Sequence, residues 1–219
     1  MADDSQHRLL RGRDIEFDLQ HGLDTDDRLE VEEFSIEKRW QSERYLPAYV
    51  DLLLALEPVF PKNLADFIFI DIGAGKGRAV LIASHFPFKK VIGVEFVPEL
   101  FSVMKSNIQK YHDPRQRCND IEPILADATE YDFPAEKLVL FLFNPMARAA
   151  LERFVDNLHH SLLMHPRELR VLFLNPNLAN AAEELLQKTG IFTIREYRAP
   201  EFAAVCHWRL LVCDSSIIS

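Results

Sequence analysis

The sequence has few glycines and cysteines, an excess of acidic over basic residues, and no long apolar run. Its three cysteines form no CxxC pair, which argues against a disulfide framework or a zinc ribbon. No stretch approaches the roughly 20 apolar residues that span a bilayer, and the N-terminal segment has no apolar signal core. Lysine and arginine number 25 against 34 acidic residues, which disfavours a general nucleic-acid or anionic-membrane surface. We therefore expect a cytoplasmic protein without membrane association or a metal site.

The composition changes near residue 66 and divides the chain into two parts. Residues 1–44 are polar and strongly charged, and they predict an irregular arm with one helix at about 31–42. Apolar residues then recur at helical spacing and predict a helix over 47–57, with Pro47 at its first position and Pro58 as its stop. We expect residues 1–66 to be an arm and helix that act as a lid over a site in a domain formed by residues 67–219.

After residue 66, short apolar runs alternate with helical periods. The predicted strands are 67–72, 91–95, 123–125, 138–143, 170–175, 192–198 and 203–213, and the predicted helices are 77–86, 98–111, 147–162 and 179–188. Runs such as LVLFLF are typical of central parallel strands that are buried on both faces. Only a short turn near Ala199–Pro200 separates the last two strands, which indicates an antiparallel hairpin. The pattern predicts a doubly wound α/β fold, in which a seven-stranded, mostly parallel sheet with one antiparallel strand lies between two layers of helices.

The most informative segment joins the first strand to the next helix and reads DIGAGKG over residues 71–77. Gly73, Gly75 and Gly77 allow the backbone to approach a ligand closely, and the helix start offers N–H groups to a carboxylate or phosphate. The segment lacks the spacing and the hydroxyl of a P-loop, and Arg78 stands where a dinucleotide fingerprint has its third glycine. A purely structural glycine turn remains the alternative.

Polar residues also follow the next three strands. Glu95 comes 18 residues after Gly77, at the end of the next strand, where a carboxylate can accept hydrogen bonds from ribose hydroxyls. Asp127 can accept from an adenine amino group, with Phe96 and Ala128 against the ring, or it can simply cap a turn. Asn144 falls at the crevice where ligands bind in open α/β sheets, and an ordinary Asn-Pro turn is its alternative.

Together these strand ends resemble a class I S-adenosylmethionine-dependent methyltransferase. The matching elements are DIGAGKG at 71–77, GVE at 93–95, Asp-Ala at 127–128 and Asn-Pro at 144–145. The chain is more closely similar to bacterial proteins with a DLGSGKGR-type loop followed by GVE, and distantly similar to non-SET protein-lysine methyltransferases. In these proteins a Tyr-x-Pro element folds over the cofactor, and Tyr45-Leu46-Pro47 is similar to that element.

The resemblance implies S-adenosylmethionine (AdoMet) as the cofactor and methyl transfer by in-line displacement. It assigns Asp71, Gly73 and Gly75 to the methionine end of the cofactor, Glu95 to the ribose and Asp127 to the adenine. The other implied cofactor contacts are Gly77, Phe96, Ala128, Asn144 and Tyr45. Asn144-Pro145 is similar to the start of the (Asp/Asn/Ser)-Pro-Pro-aromatic motif of amino-group methyltransferases and is the implied catalytic element, although Met146 and Ala147 depart from that motif.

The methyl acceptor stays open at this point. A protein amine, such as a lysine, or a small molecule is favoured, and the acidic residues between 24 and 33 would attract a cationic partner. A hydroxyl acceptor would need a base, for which His207 and Tyr131 are the candidates. An RNA methyltransferase and a cofactor-binding module without turnover are the alternatives.

Overall fold

The computed structural model describes residues 2–26, 45–143, 145–174, 179–198 and 209–215, with the backbone alone at 2–6, 179 and 180. The helices are α1 Ala2–His21, α2 Val50–Leu54, α3 Arg78–Ala83, α4 Pro98–Lys110, α5 Arg148–Met164 and α6 Ala179–Lys188. The strands are β1 Phe67–Ile72, β2 Lys90–Glu95, β3 Ile121–Leu125, β4 Lys137–Phe143, β5 Leu169–Leu174, β6 Phe192–Tyr197 and β7 Leu210–Ser215. Short 3₁₀ turns occupy Glu57–Val59 and Leu64–Asp66.

The strands form one sheet in the order β3-β2-β1-β4-β5-β7-β6. Neighbouring strands from β3 to β5 are parallel, and β7 runs antiparallel to both β5 and β6. The chain builds outward from β1 in one direction and then from β4 in the other, so the connections diverge between these two strands. This topology confirms the predicted sheet, including its single reversed strand.

The sheet separates two apolar cores because side chains alternate between its faces. Phe69 and Phe141 belong to the core shared with α1 to α4, whereas Ile70 and Leu140 belong to the core shared with α5 and α6. The three-layer arrangement is therefore confirmed. The alternation also places Asp71, the residue after Ile70, on the face that α1 to α4 cover.

The prediction of an irregular arm is wrong for residues 2–21, which form the 20-residue helix α1. Its buried positions include Leu10, Asp14, Phe17 and Asp18, at the spacing of one helix face. Two of these four are carboxylates, so the face carries too little hydrophobicity to be recognised from apolar periodicity. The predicted helix over 31–42 lies outside the described residues.

The helix predicted over 47–57 is shorter in the structure and starts later. Pro47 lies outside the helix, and α2 begins at Val50, whose N–H donates to the Asp14 carboxylate at 2.9 Å. The start of α2 is thus set by a contact from α1 rather than by the proline.

Described residues on both sides of the predicted boundary at 66 share one core: Leu10, Phe17 and Leu53 belong to the same apolar cluster as Phe69. The role of residues 1–66 as a lid remains a prediction. Within the described ranges, no helix has both the length and the apolar character that crossing a membrane requires.

Candidate cofactor site

Two adjoining cavities lie at the carboxyl ends of the parallel strands, where the connections that follow β1 and β4 diverge. Open α/β sheets bind ligands at this position. The first cavity is lined by Tyr45, Leu46, Pro47, Ala48, Asp71, Gly73, Ala74, Gly75, Arg78, Ala79, Glu95, Phe96, Val97, Leu100, Phe141, Phe143 and Pro145. The second is lined by Gly73, Val94, Phe96, Ala126, Asp127, Ala128, Thr129, Pro145, Met146 and Ala150. Because Gly73, Phe96 and Pro145 line both, the two cavities form one extended cleft.

Gly73 and Gly75, in the turn after β1, line the cleft. Gly73 and Gly75 have φ angles of 72° and 55°, in the left-handed region that other residues rarely adopt. A Cβ atom on Gly73 would lie 2.5 Å from Cβ of Pro145, and one on Gly75 would overlap the ring of Tyr45. The missing side chains therefore let the end of β4 and the Tyr45 ring approach the turn. Gly77, in contrast, packs against Met104 and does not line either cavity.

Glu95 ties the glycine turn to the end of β2. Its Oε2 atom accepts a hydrogen bond from the Gly75 N–H at 2.7 Å, and its Oε1 atom accepts from the N–H groups of Phe96 and Val97 at 2.9 and 2.8 Å. These bonds use three of the roughly four acceptor positions of a carboxylate. Glu95 therefore shapes the cleft, and its contact with a ribose remains a prediction.

Asp71 brings a second buried carboxyl group to the first cavity. Burial, followed by the charge of Glu95, raises the pKa of Asp71 from its usual 3.8 to about 8. Burial also raises the pKa of Glu95, against the lowering effect of its three N–H donors. Among the described residues, no lysine, arginine or histidine forms an ion pair with Asp71. The cavity wall thus carries acidic groups that a cation would stabilise.

The lining of the second cavity is mostly apolar. Val94, Ala126 and Met146 supply apolar surface, and Asp127 adds a carboxylate. The Asp127 Oδ1 atom accepts hydrogen bonds from the N–H and the hydroxyl of Thr129, at 3.0 and 2.7 Å. The turn-capping interpretation of Asp127 is therefore confirmed, and its contact with adenine remains a prediction.

The remaining predicted residues divide into three groups. Tyr45, Phe96, Ala128 and Pro145 line the cleft. Tyr131 does not: it packs edge-on against Phe133 in the core under α5, and burial raises its pKa to about 12. Asn144 and His207 lie outside the described residues. Within the described part of the chain, no group of three potential metal-binding side chains comes together.

The motif analysis assigned no role to Arg78, which lines the cleft, or to its partner Thr25. In the sequence, Arg78 only showed that the glycine turn does not match a dinucleotide-binding fingerprint. In the structure, Arg78 is 2% exposed and lines the first cavity. Thr25 is fully buried and accepts a hydrogen bond from Arg78 Nε at 2.8 Å. Thr25 ends the GLDT stretch at 22–25, in the arm that the sequence predicts to be a lid. The polar spacing of Asp14 and Asp18 in α1 is a second signal, which becomes meaningful once their partners are known.

Comparison with known proteins identifies the fold. No protein-family model and no curated protein sequence matches the chain. Among solved structures, a proposed RNA methyltransferase from Pyrococcus horikoshii matches with a TM-score of 0.55 and 17% identity, over 86% of this chain and 95% of that one. The precorrin-6y C5,15-methyltransferase of Geobacter metallireducens matches with a TM-score of 0.51 and 16% identity, over 87% and 95% of the two chains.

A proposed O-methyltransferase from Nostoc punctiforme matches with a TM-score of 0.53 and 15% identity, over 76% of this chain. The match spans only 55% of the length of that Nostoc protein. At these identities the similarity concerns the fold, which this chain shares with methyltransferases of several kinds.

Proposed function

We propose that this protein is an AdoMet-dependent methyltransferase. The observation that carries the proposal is the pair of buried carboxyl groups, Asp71 and Glu95, on the wall of a cleft closed by a glycine turn. The fold shared with methyltransferases agrees with this function, and the two carboxyl groups, which a cation would stabilise, favour AdoMet over other nucleotides.

A phosphate-bearing ligand is disfavoured by the same cleft. Glycine turns that hold phosphates direct N–H groups at the anion, whereas the Gly75 N–H donates to Glu95. A phosphate beside Asp71 and Glu95 would also repel any charge on their carboxyl groups. AdoMet has a ribose and an adenine but no phosphate, and its ammonium and sulfonium groups outweigh its single carboxylate, so it is a net cation.

The residues present fit this cofactor at each of its parts. Asp71 and the backbone of Gly73 and Gly75 would hold the methionine end, and Glu95 the ribose. The apolar second cavity would hold the adenine, with Phe96 at the junction of the two cavities. Tyr45 would cover the cofactor from the side of the arm.

When bound, AdoMet supplies a methyl group that is already activated by the sulfonium. The protein then has to align the acceptor with that methyl group and exclude water, and alignment alone can contribute roughly 7–11 kcal/mol. We assign the alignment of the acceptor to Asn144 and Pro145, since Pro145 borders both cavities. We propose an amine or a hydroxyl acceptor, in a protein or in a small molecule.

The proposal is tested by calorimetric titration with a ligand series that separates the parts of the cofactor. AdoMet and S-adenosylhomocysteine (AdoHcy) carry the ammonium group, 5′-methylthioadenosine lacks it, and NAD and ATP carry phosphates. We expect AdoMet and AdoHcy to bind at least tenfold more tightly than 5′-methylthioadenosine, because only they offer an ammonium to Asp71. Asp66, an exposed carboxyl outside the cleft, provides the control variant Asp66→Asn.

Preferential binding of NAD or ATP, or no binding of AdoMet by folded protein, would overturn the proposal. Binding without methyl transfer from labelled AdoMet to any component of a cell lysate would instead support the alternative of a cofactor-binding module. Transfer to RNA or to protein would distinguish the two macromolecular acceptors.

A further inference from the structure

The first cavity has a roof that is held from outside the sheet. We call residues Tyr45–Ala48 the roof, because all four line the cavity and come from the chain that precedes the sheet. The Tyr45 ring lies against Gly75, and Lys76 Nζ lies 5.8 Å from the centre of that ring. The Tyr45 hydroxyl donates to the backbone carbonyl of Thr25 at 3.0 Å. The position of the roof therefore depends on the segment that contains Thr25.

That segment, Leu23–Asp26, which we call the strap, is bound on two sides. Toward α1, the N–H and the hydroxyl of Thr25 both donate to the Asp18 carboxylate at 2.6 Å. Toward the sheet, the backbone of Asp24 exchanges two hydrogen bonds with the Asn107 side chain, at 3.2 and 3.0 Å. The Asp24 carboxylate pairs with Lys76 Nζ at 2.6 Å. The strap thus connects α1 to the glycine turn and to α4.

Arg78 joins the strap, the roof and α1 at a single side chain. Its Nε donates to the Thr25 hydroxyl, and its Nη1 donates to Asp14 at 2.7 Å and to the carbonyl of Ala48 at 3.3 Å. Asp14 in turn accepts from the Val50 N–H. Burial raises the pKa of Asp14 to about 6, against the lowering effect of Arg78. Breaking a buried ion pair of this kind is strongly unfavourable.

We propose that Arg78 and Thr25 form a latch that holds the roof closed over the first cavity and sets the rate at which a bound nucleoside leaves. The inference rests on the proposed function, because the ligand is the one proposed there. A ligand seated on the strand ends lies beneath Tyr45–Ala48, and the roof moves away only when its links to the strap and to Arg78 separate. Arg78 and Thr25 are therefore positioning residues that act through the roof.

Thr25 offers a matched pair of variants. Thr25→Val keeps the shape of the side chain but removes the hydroxyl that links Arg78 to Asp18, whereas Thr25→Ser keeps the hydroxyl. Hydrogen bonds to charged groups contribute roughly 1.5–3 kcal/mol, so we expect Thr25→Val to speed the dissociation of AdoHcy about tenfold or more. Thr25→Ser should release AdoHcy at nearly the native rate. Arg78→Gln should have a larger effect, but it also risks the folding of the protein.

An exposed ion pair supplies the control. Arg13 of α1 pairs with Asp51 of α2 on the surface, so it also connects these helices without touching the roof or the strap. Exposed pairs contribute little. Arg13→Gln should therefore leave the dissociation rate unchanged.

Two measurements decide the inference: stopped-flow release of AdoHcy, and hydrogen exchange of the ligand-free protein. The informative amides are those of Asp24, Thr25 and Val50, which donate to Asn107, Asp18 and Asp14. We expect Thr25→Val to speed their exchange while the amides of β4 keep the native rate. Unchanged exchange would overturn the latch, and faster exchange with unchanged release would overturn its control of release.

Failure of the native protein to bind AdoHcy would overturn the proposed function. It would also overturn the inference that the latch sets the rate of ligand release. Hydrogen exchange without ligand would still show whether Arg78 and Thr25 hold the strap and the start of α2, which follows the roof, so the two failures are distinguishable.

Discussion

Replacing Asp71 by asparagine should stabilise the ligand-free protein and weaken its binding of AdoMet. The folded-state pKa of Asp71 is raised from 3.8 to about 8. Between these two values the unfolded chain releases this proton while the folded protein keeps it. The contribution of Asp71 to stability is therefore fully present below the unfolded pKa and is lost as pH rises toward 8. Asparagine does not titrate, so the stability of the variant does not fall in this way as pH rises.

The size of the effect follows from the two pKa values. One pKa unit corresponds to about 1.4 kcal/mol, so the loss is about 4 kcal/mol at pH 7 and about 2 kcal/mol at pH 5. Any effect of the asparagine on packing is the same at both pH values and cancels in the comparison. The advantage of Asp71→Asn over the native protein should therefore grow by roughly 2–3 kcal/mol between pH 5 and pH 7. For a chain of this length, that corresponds to a change of about 5–10 °C in the difference between the two melting temperatures.

The assay is thermal unfolding of the native protein, Asp71→Asn and the exposed control Asp66→Asn at a series of pH values between 5 and 8. Calorimetry in buffers of different ionisation enthalpy adds a second readout at pH 7. A cation beside Asp71 lowers its pKa, so AdoMet binding should release up to about one proton from the native protein and less from Asp71→Asn. The variant should also bind AdoMet about tenfold more weakly.

A melting-temperature difference between native protein and Asp71→Asn that does not change with pH would refute the reasoning about burial. Equal AdoMet affinity and equal proton release in the two proteins would refute the assignment of Asp71 to the cationic end of the ligand.

Two further substitutions test the glycine turn and its tie to β2. Gly75→Ala should lower both AdoMet affinity and stability, because its methyl group would overlap the Tyr45 ring. The control is Gly190→Ala: Gly190 has a similar positive φ but no neighbour within 4 Å, so this variant introduces the backbone strain without the clash. Similar losses of stability in both variants, with native AdoMet affinity in both, would contradict the contact with Tyr45. Glu95→Ala should lower the free energy of unfolding, measured by urea titration, by roughly 1–3 kcal/mol for each buried N–H group left without a partner. It should also weaken AdoMet binding, measured by calorimetric titration, by roughly 1–3 kcal/mol. The exposed Glu122→Ala is its control, and native-like stability of Glu95→Ala would show that the hydrogen bonds to Glu95 are dispensable.

Much of the fold was predictable because its signals are local. The apolar run of β4 and the helical spacing of α5 each lie within one short stretch of chain, and their observed bounds differ from the predicted ones by no more than two residues. The positions of Asp71 and Glu95 at strand ends followed from the same runs. In a parallel sheet these ends meet at one edge, so the sequence also predicted which residues come together.

The errors occurred where a partner lies far along the chain. The helix α1 was missed because its buried face includes Asp14 and Asp18, which bind groups on α2, α3 and the strap. The start of α2 was misplaced because Asp14 of α1 holds its first N–H group. In both cases a polar residue that reads as exposed is buried by a partner that sequence spacing does not reveal.

By itself, the sequence determined the order of the elements from β1 onward, the glycine turn and the acidic residues at the ends of β1 and β2, because periodicity and residue chemistry act over a few neighbouring positions. Only the tertiary structure decided that Glu95 closes the glycine turn, that Asp71 remains buried with a raised pKa, and that Arg78 connects the arm to the cleft. The partners of Arg78, Thr25 and Asp14, are 53 and 64 residues away from it. Hydrogen bonds over such separations depend on how the helices pack on the sheet, and no local pattern in the chain encodes them.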